Sequence, residues 1–529
     1  MDTTLTPTAY DNVPYPSGAY PQSHPRRLAT LGALFGMQPA DILTARVLEL
    51  GAADGANLIP MAAELPQATF VGIERAGNQA RAGQATIKEL GLRNITLLHR
   101  DMLDVDAQLG QFDYIIAHGV FSWVPGEVQD KTLSICKQNL NPNGIAYVSY
   151  NTYPGWHMRG MVRDMMLFHT SQFAEPQTKV QQARALVEFL ADSVPTKDSP
   201  YGLWLTQELK NMRGWKDNYM LHESLEEVNE PVYFWQFMER ATNHELQYLG
   251  DAEFSTMVTG NFDQKVRETL HRIGRNIVAM EQYMDFIRNR MFRRTILCHQ
   301  DVSLRRNLSP RIVEQFHIRS AAKPSSPTPR IKGSAPETFI TAKGITLTSS
   351  TPIVKAALCA LAEQFPHAVA FNELSRQACA TVSADEANEP TAEELTKHRS
   401  LLADSMLLAF AGDKIELARF ADQFGVEVNS HPRTSALVRR QAVAGTRVTN
   451  LRHQPMTLDA ASRVLVQHLD GRHNHAALVD ILVKQAVAGQ LAVEEEGEAV
   501  TDKERIQSLF AARLDGFLAR CAECALLCK

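Results

Sequence analysis

Two acids and two glycines stand at spacings suited to holding a nucleotide-like ligand: Glu49, Gly51, Gly55 and Glu74. They lie in the stretch 46–74, "RVLELGAADGANLIPMAAELPQATFVGIE". An apolar run (Val47, Leu48, Leu50) ends in the turn Gly51-Ala52-Ala53-Asp54-Gly55. A helical pattern follows (Leu58, Ile59, Met61, Ala62, Leu65), and a second apolar run, 70–73, closes on Glu74. Strand, glycine turn, helix, strand and acid make the first half of a nucleotide-binding βαβ unit. The glycines let the backbone approach a ligand closely, and the acid is placed for a pair of ribose hydroxyls. The dinucleotide fingerprint G-x-G-x-x-G is not met, because Ala53 and Ala56 occupy its second and third glycine positions. Glu49, at the tip of the first strand, would repel a pyrophosphate but suits a cationic amino group.

The pattern Glu49-x-Gly51-x-Ala53-x-Gly55 resembles motif I of the class I S-adenosylmethionine methyltransferases, with Ala53 where that family has glycine. The elements needed to position these residues follow in order. Residues 76–90 read as a helix ended by Gly91, and "NITLLHRDM" as a third strand running into Asp101 and Met102. "FDYIIA" is a fourth strand, followed by a loop with His118, Phe121, Ser122 and Trp123. Residues 127–140 form a helix, "NPNG" a turn, and 145–150 a fifth strand leading to "NTYPGW". "FWQFMERATNHELQYLGDAEF" reads as a helix and sixth strand, and "FRRTILCHQD" as the seventh. Together these resemble the class I fold: a seven-stranded Rossmann-like α/β core with a helical insertion, followed by smaller mixed α/β domains.

Several longer segments, among them "YDNVPYPSGAYPQSHPRRLATLGALFGM", "AHGVFSWVP", "NYMLHESLEEVNEPVYFWQF" and "HELQYLGDAEF", sharpen the likeness. They resemble bacterial methyltransferases that carry a methyltransferase regulatory domain, a group that includes rickettsial lysine methyltransferases acting on an outer-membrane protein. The resemblance implies S-adenosylmethionine as cofactor, held by Glu49, Gly51, Ala53, Asp54, Gly55, Glu74, Arg75, Asp101, Met102 and His118. It also implies methyl transfer to a protein side chain, lysine. The alternatives are a small-molecule or lipid methyltransferase, or a cofactor-binding regulatory protein without turnover.

The 529 residues suffice for about three domains. The expected division is a methyltransferase core from 1–156 and 231–320, a helical insertion for a lid or dimer contact at 157–230, and a Pro/Ser-rich linker at 321–336. A middle domain, possible as a winged-helix-like module, would occupy 337–430 and a helical domain 431–529. Hydrophobic content of 44% and a net charge of −5 suit a globular protein with no pull toward nucleic acid. "SWVP" stands after the fourth strand in place of the Asn/Asp-Pro-Pro-aromatic box of nucleobase-methylating enzymes, which also counts against nucleic acid. No secretory signal and no membrane-spanning run is visible, so the cytoplasm is the expected compartment. The seven cysteines are scattered; in "CAECALLCK" they continue one helix face with Leu514 and Phe517, and no metal site is expected.

Methyl transfer from a sulfonium requires the nucleophile in line and its lone pair free. Lysine, with an ordinary pKa near 10.4, would be helped by a desolvating aromatic channel. The candidates for such a channel are Phe121, Trp123, Tyr150, Tyr153 and Trp156, with Trp123, Tyr153 and Trp156 foremost. His118 and His222 are further catalytic candidates, with Glu223 beside His222. Tyr10, Tyr15 and Tyr20 either line the substrate entrance or anchor an N-terminal arm. A protein substrate and a homodimer are the partners expected.

Overall fold

The computed structural model describes residues 8–384, 391–422, 424–425 and 427–529. The first seven residues of the N-terminus read for a signal lie outside them. At the centre is one seven-stranded sheet made of β1 (Arg46–Leu50), β2 (Thr69–Glu74), β3 (Ile95–His99), β4 (Phe112–Ala117), β5 (Leu140–Asn151), β6 (Leu246–Asp251) and β7 (Phe292–His299). Their order across the sheet is β3-β2-β1-β4-β5-β7-β6. Neighbouring strands are parallel except β7, which runs antiparallel to both β5 and β6. This is the α/β architecture of class I methyltransferases expected from the sequence.

Strands buried on both faces must be apolar throughout rather than alternating. Val47, Phe70, Tyr114, Ile116 and Tyr147 feed the core on one face of the sheet. Leu48, Leu50, Ile73, Ile115 and Val148 feed the other. The helix Gly77–Leu90 ends at Gly91, which takes the left-handed conformation (φ 65°) that lets its N–H reach back to the last turn. One local expectation is corrected. "NPNG" is not a turn ahead of a shorter strand. Leu140 pairs with Phe112 and Ile145 with Tyr114, so residues 141–144 bulge out of one continuous strand.

The first core continues through the helix Pro25–Leu34 into residues 313–437, where Phe316, Phe339, Leu358, Phe371 and Phe410 are buried. The Pro/Ser-rich stretch before them is tied down. Lys323–Pro324 pairs with the strand Glu337–Ile340, and the buried Lys355 ammonium donates to the Gly333 and Ala335 carbonyls at 3.0 and 2.9 Å. The insertion is four helices, Trp156–Thr170, Pro176–Ser193, Pro200–Met212 and Asp217–Ser224, around a core of their own that includes Val162, Val180, Leu205 and Met220. Residues after 435 form another core, in which the helix Lys503–Glu523 buries Phe510, Leu514, Leu518 and Cys521. Among the described residues no helix is long and apolar enough to cross a membrane, and no group of three or more His, Cys, Asp or Glu is placed to hold a metal.

The outer edge of the sheet is locked by charge. Arg293 on β7, fully buried, forms a two-pronged bond to Asp285 (2.7 and 2.9 Å) and a third to Glu281 (3.0 Å), with its guanidinium 3.6 Å above the Phe234 ring. Tyr248 on β6 donates to Glu281 at 2.7 Å. Removing the cation would strand two carboxylates in a dry interior. Arg293→Met is therefore expected to destabilise the sheet by about 3–5 kcal/mol, read as a lowered urea midpoint at unchanged slope.

Candidate functional site

The turn after β1 uses left-handed backbone at three alternate positions: Gly51 (φ 70°), Ala53 (φ 50°) and Gly55 (φ 76°). At Gly51 a Cβ would lie 2.4 Å from Val120 Cγ2, so glycine is required there for space as well as conformation. Ala53 is the departure noted in the sequence, and its strained backbone costs on the order of 1–2 kcal/mol. Glu74 offsets that cost. One carboxylate oxygen accepts the Ala53 N–H at 2.7 Å, and the other accepts the Ala76 N–H at 2.6 Å. The acid at the end of β2 thus braces the turn at the end of β1.

Glu49 is 3% exposed at the carboxyl end of β1. Its Oε1 accepts from Asn57 Nδ2 at 2.6 Å, and its Oε2 is buried with no hydrogen-bond partner. Desolvation pushes its pKa up to about 8, against the smaller opposing effect of the Asn57 bond. Asn57, just ahead of the helix Leu58–Glu64, uses all four of its bonding positions. Its Nδ2 also donates to Ser23 Oγ at 3.1 Å, while its Oδ1 accepts the Tyr20 N–H at 2.9 Å and faces His453 Nε2 at 2.8 Å. Asp54 accepts from Ser17 Oγ and from the Ala56 N–H. The N-terminal segment therefore lies against this turn through Ser17 and Tyr20.

Along the same edge of the sheet, Asp101 caps the short turn Met102–Asp104 and pairs with the exposed Arg75 at 3.1 Å, with Met102 half-buried beside it. His118, after β4, stacks on Tyr20 (centroids 3.6 Å apart), and its Nδ1 meets the Tyr147 hydroxyl at 2.8 Å. Burial, and then Arg294, press its pKa down to about 3, so the ring is neutral. Glu49, Gly51, Ala53, Asp54, Gly55 and Glu74 are thus gathered around one turn, with Arg75, Asp101, Met102 and His118 on the adjoining strand ends.

The aromatic candidates divide. Phe121 and Tyr150 are core residues packed on Phe237. Trp123 is half-buried and meets the buried Trp156 edge-on at 6.3 Å. Tyr153 stacks on His157 at 3.9 Å and neighbours Tyr233. His222 has both ring nitrogens engaged, Nδ1 with Glu226 and Nε2 with the Val13 carbonyl, each at 2.6 Å, and its ring stacks on Tyr10. It holds the N-terminal arm, with Tyr15 wedged between Tyr219 and His222. Glu223, next to these rings, is desolvated, which raises its pKa. Sequence reasoning missed Asn57, Ser17, Ser23 and His453. Asn57 carried a signal, as a polar residue closing a glycine turn at a helix start. His453 carried none.

Three family models match the chain: a methyltransferase domain at residues 48–146, a predicted methyltransferase regulatory domain at 216–299, and a PKMT C-terminal winged helix domain at 430–526. The uncharacterized protein RP789 of Rickettsia prowazekii is 36% identical over 519 residues, which is 96% of this chain and 92% of that protein. RP028 of the same organism is 41% identical over 241 residues, covering 46% of this chain and 96% of that protein. The structure of PKMT2 from Rickettsia typhi in complex with AdoHcy is similar with a TM-score of 0.87 at 31% identity, over 97% of this chain and all (100%) of that one.

Because the folded chain keeps the Glu49 proton up to about pH 8, whereas the unfolded chain loses it near the ordinary value of 4.5, the folded state binds the extra proton in that window. Its stability contribution must fall as pH rises through it. Glu49→Gln is expected to melt close to the wild type near pH 5 and well above it near pH 9, as read by thermal unfolding across pH.

Proposed function

We propose, because the chain belongs to the family of methyltransferases with a regulatory domain and a PKMT-type C-terminal winged helix, that it transfers the methyl group of S-adenosylmethionine to lysine side chains of a protein. The observation that carries the reading is Glu49: a buried carboxylate beside a glycine turn, with one oxygen unpartnered. That oxygen fits the ammonium of an amino-acid end, and the turn, free of side chains at Gly51 and Gly55, fits a close backbone approach. Bound there, S-adenosylmethionine supplies an electrophilic methyl on a sulfonium.

The chain's own residues do the rest. Glu49 receives the ammonium through Oε2. Glu74 has one oxygen on the Ala53 N–H of the turn and the other on the Ala76 N–H, and keeps the remaining lone pairs for ribose hydroxyls. Asp101 and Met102 take the adenine edge and face, with Arg75 orienting Asp101. The N-terminal arm, pinned by Ser17 to Asp54 and by Tyr20 to Asn57, excludes water. Tyr15, Tyr219 and Glu223 support an entrance suited to a lysine, and Arg159, paired with Glu223 and lying over Trp156, links it to Trp156 and Trp123; Tyr153, stacked on His157, is the third aromatic candidate. Desolvation there favours the neutral amine. A histidine with a pKa near 3 is a poor proton acceptor, and His222 has no free nitrogen, so the amine proton leaves to solvent before attack.

We keep the expected division into a core from 1–156 and 231–320, the 157–230 insertion, the 321–336 connection, and the 337–430 and 431–529 domains. Exposed Phe168, Phe189 and Leu203 on the insertion support its use against a second copy. Seven free cysteines support a reducing compartment, the cytoplasm.

Tritiated S-adenosylmethionine incubated with the protein and cell extract is expected to place label in the protein fraction, on lysine after hydrolysis. Gly51→Val should abolish labelling, and Glu74→Ala should weaken AdoHcy binding at least about tenfold. Label confined to lipid or small molecules would overturn the protein substrate. Tight AdoHcy binding with no label anywhere would overturn turnover.

A further inference from the structure

His453 belongs to the C-terminal segment matched by the winged-helix model, 396 residues away in sequence from the side chain it bonds. It sits in the turn between the strands Arg447–Thr449 and Pro455–Thr457, in left-handed backbone (φ 58°) and only 2% exposed. The turn is held on several sides. Asn450 accepts from the backbone N–H groups of Arg452 (3.0 Å) and Gln454 (2.8 Å), and its Nδ2 donates to the Cys524 carbonyl at 2.9 Å. Leu451 N–H donates to the Ala525 carbonyl at 2.9 Å, and Arg452 grips both Glu416 oxygens at 2.6 Å.

The protonation of that ring follows from its neighbours. Nε2 lies 2.8 Å from Asn57 Oδ1, an oxygen that also accepts the Tyr20 N–H, so Nε2 must be the donor. Nδ1 is buried with no partner, and His24 lies 5.0 Å away centroid to centroid. Two donors, one backbone and one imidazole, therefore converge on Oδ1. A flipped Asn57 amide would set its NH2 against the Tyr20 N–H, whereas with Oδ1 in place the Tyr20 and His453 N–H groups both donate to it, so the NH2 faces Glu49 and Ser23. Glu49 Oε1 is consequently always engaged, and Oε2 is the oxygen left to a ligand.

We infer that His453 is a positioning residue of the donor site: with the Tyr20 N–H it holds the Asn57 amide that occupies one Glu49 oxygen and leaves the other for the ammonium of S-adenosylmethionine, so that the C-terminal domain completes a site built on the sheet. The inference rests on the methyltransferase reading above. It concerns the amino-acid end of the ligand alone, since the bonded chain runs His453, Asn57, Glu49 and reaches neither Glu74 nor Asp101.

That restriction supplies the test. Binding of AdoHcy and of 5′-methylthioadenosine, which lacks the amino-acid end, is measured by calorimetry on the full chain. His453→Phe keeps a ring against His24 but has no N–H. It is expected to weaken AdoHcy about tenfold, the worth of one lost hydrogen bond, and to leave methylthioadenosine within about twofold. His453→Gln, whose amide donates in place of Nε2, should recover most of the AdoHcy affinity. Unchanged AdoHcy binding by His453→Phe overturns the inference, as does an equal loss of both ligands with no recovery by His453→Gln. A wild-type chain that binds neither ligand overturns the methyltransferase reading itself.

Discussion

A carboxylate held almost dry with one oxygen bonded and one not is the constraint from which the rest of this molecule can be understood. Ionising Glu49 without a counter-charge would cost several kcal/mol. The protein keeps the proton instead, to about pH 8, and supplies a single strong donor in Asn57. The group is thereby neutral near pH 7, with one oxygen unpartnered.

The sheet order explains why such a residue can be both buried and reachable. β1 lies third in the row, flanked by β2 and β4, and the chain reverses direction across the sheet at that point. Ligands of open α/β sheets bind at this crevice, beyond the carboxyl ends of the strands. The two faces of the sheet are sealed by separate apolar cores, so the crevice is where polar groups can gather without a cost in packing. At the far edge the Arg293 cluster holds β7 antiparallel against β6, well away from the turn.

Two separate parts of the chain reach the turn and a third holds one of them, each through hydrogen bonds, with ring stacking beside them on the N-terminal arm. Ser17 and Tyr20 bring the N-terminal arm, His222 ties that arm to the insertion, and His453 brings the C-terminal domain. Directional bonds fix atoms where apolar contact fixes only surfaces. His453 is kept neutral by desolvation, as is His118 stacked on Tyr20, so neither adds a positive charge that would oppose a cationic ligand.

The βαβ unit was legible in the sequence because everything that defines it lies within about thirty residues of chain, where strand and helix periodicity dictate direction. Glu49, Gly51, Gly55 and Glu74 come together by local geometry alone. The succession of seven strands along the chain followed from the same periodicity and the family likeness, and their order across the sheet was set by tertiary pairing. The NPNG bulge did not, because four turn-forming residues look alike whether they end a strand or loop out of one that pairs on both sides. His222 looked like chemistry and is an anchor, since only its tertiary neighbours reveal that both nitrogens are taken. Local sequence thus determined which residues could make a donor site. That one Glu49 oxygen stays free was decided by the tertiary structure, because the donors that set the Asn57 amide, the Tyr20 N–H and His453, arrive from the N-terminal arm and from the other end of the chain and have no local signature.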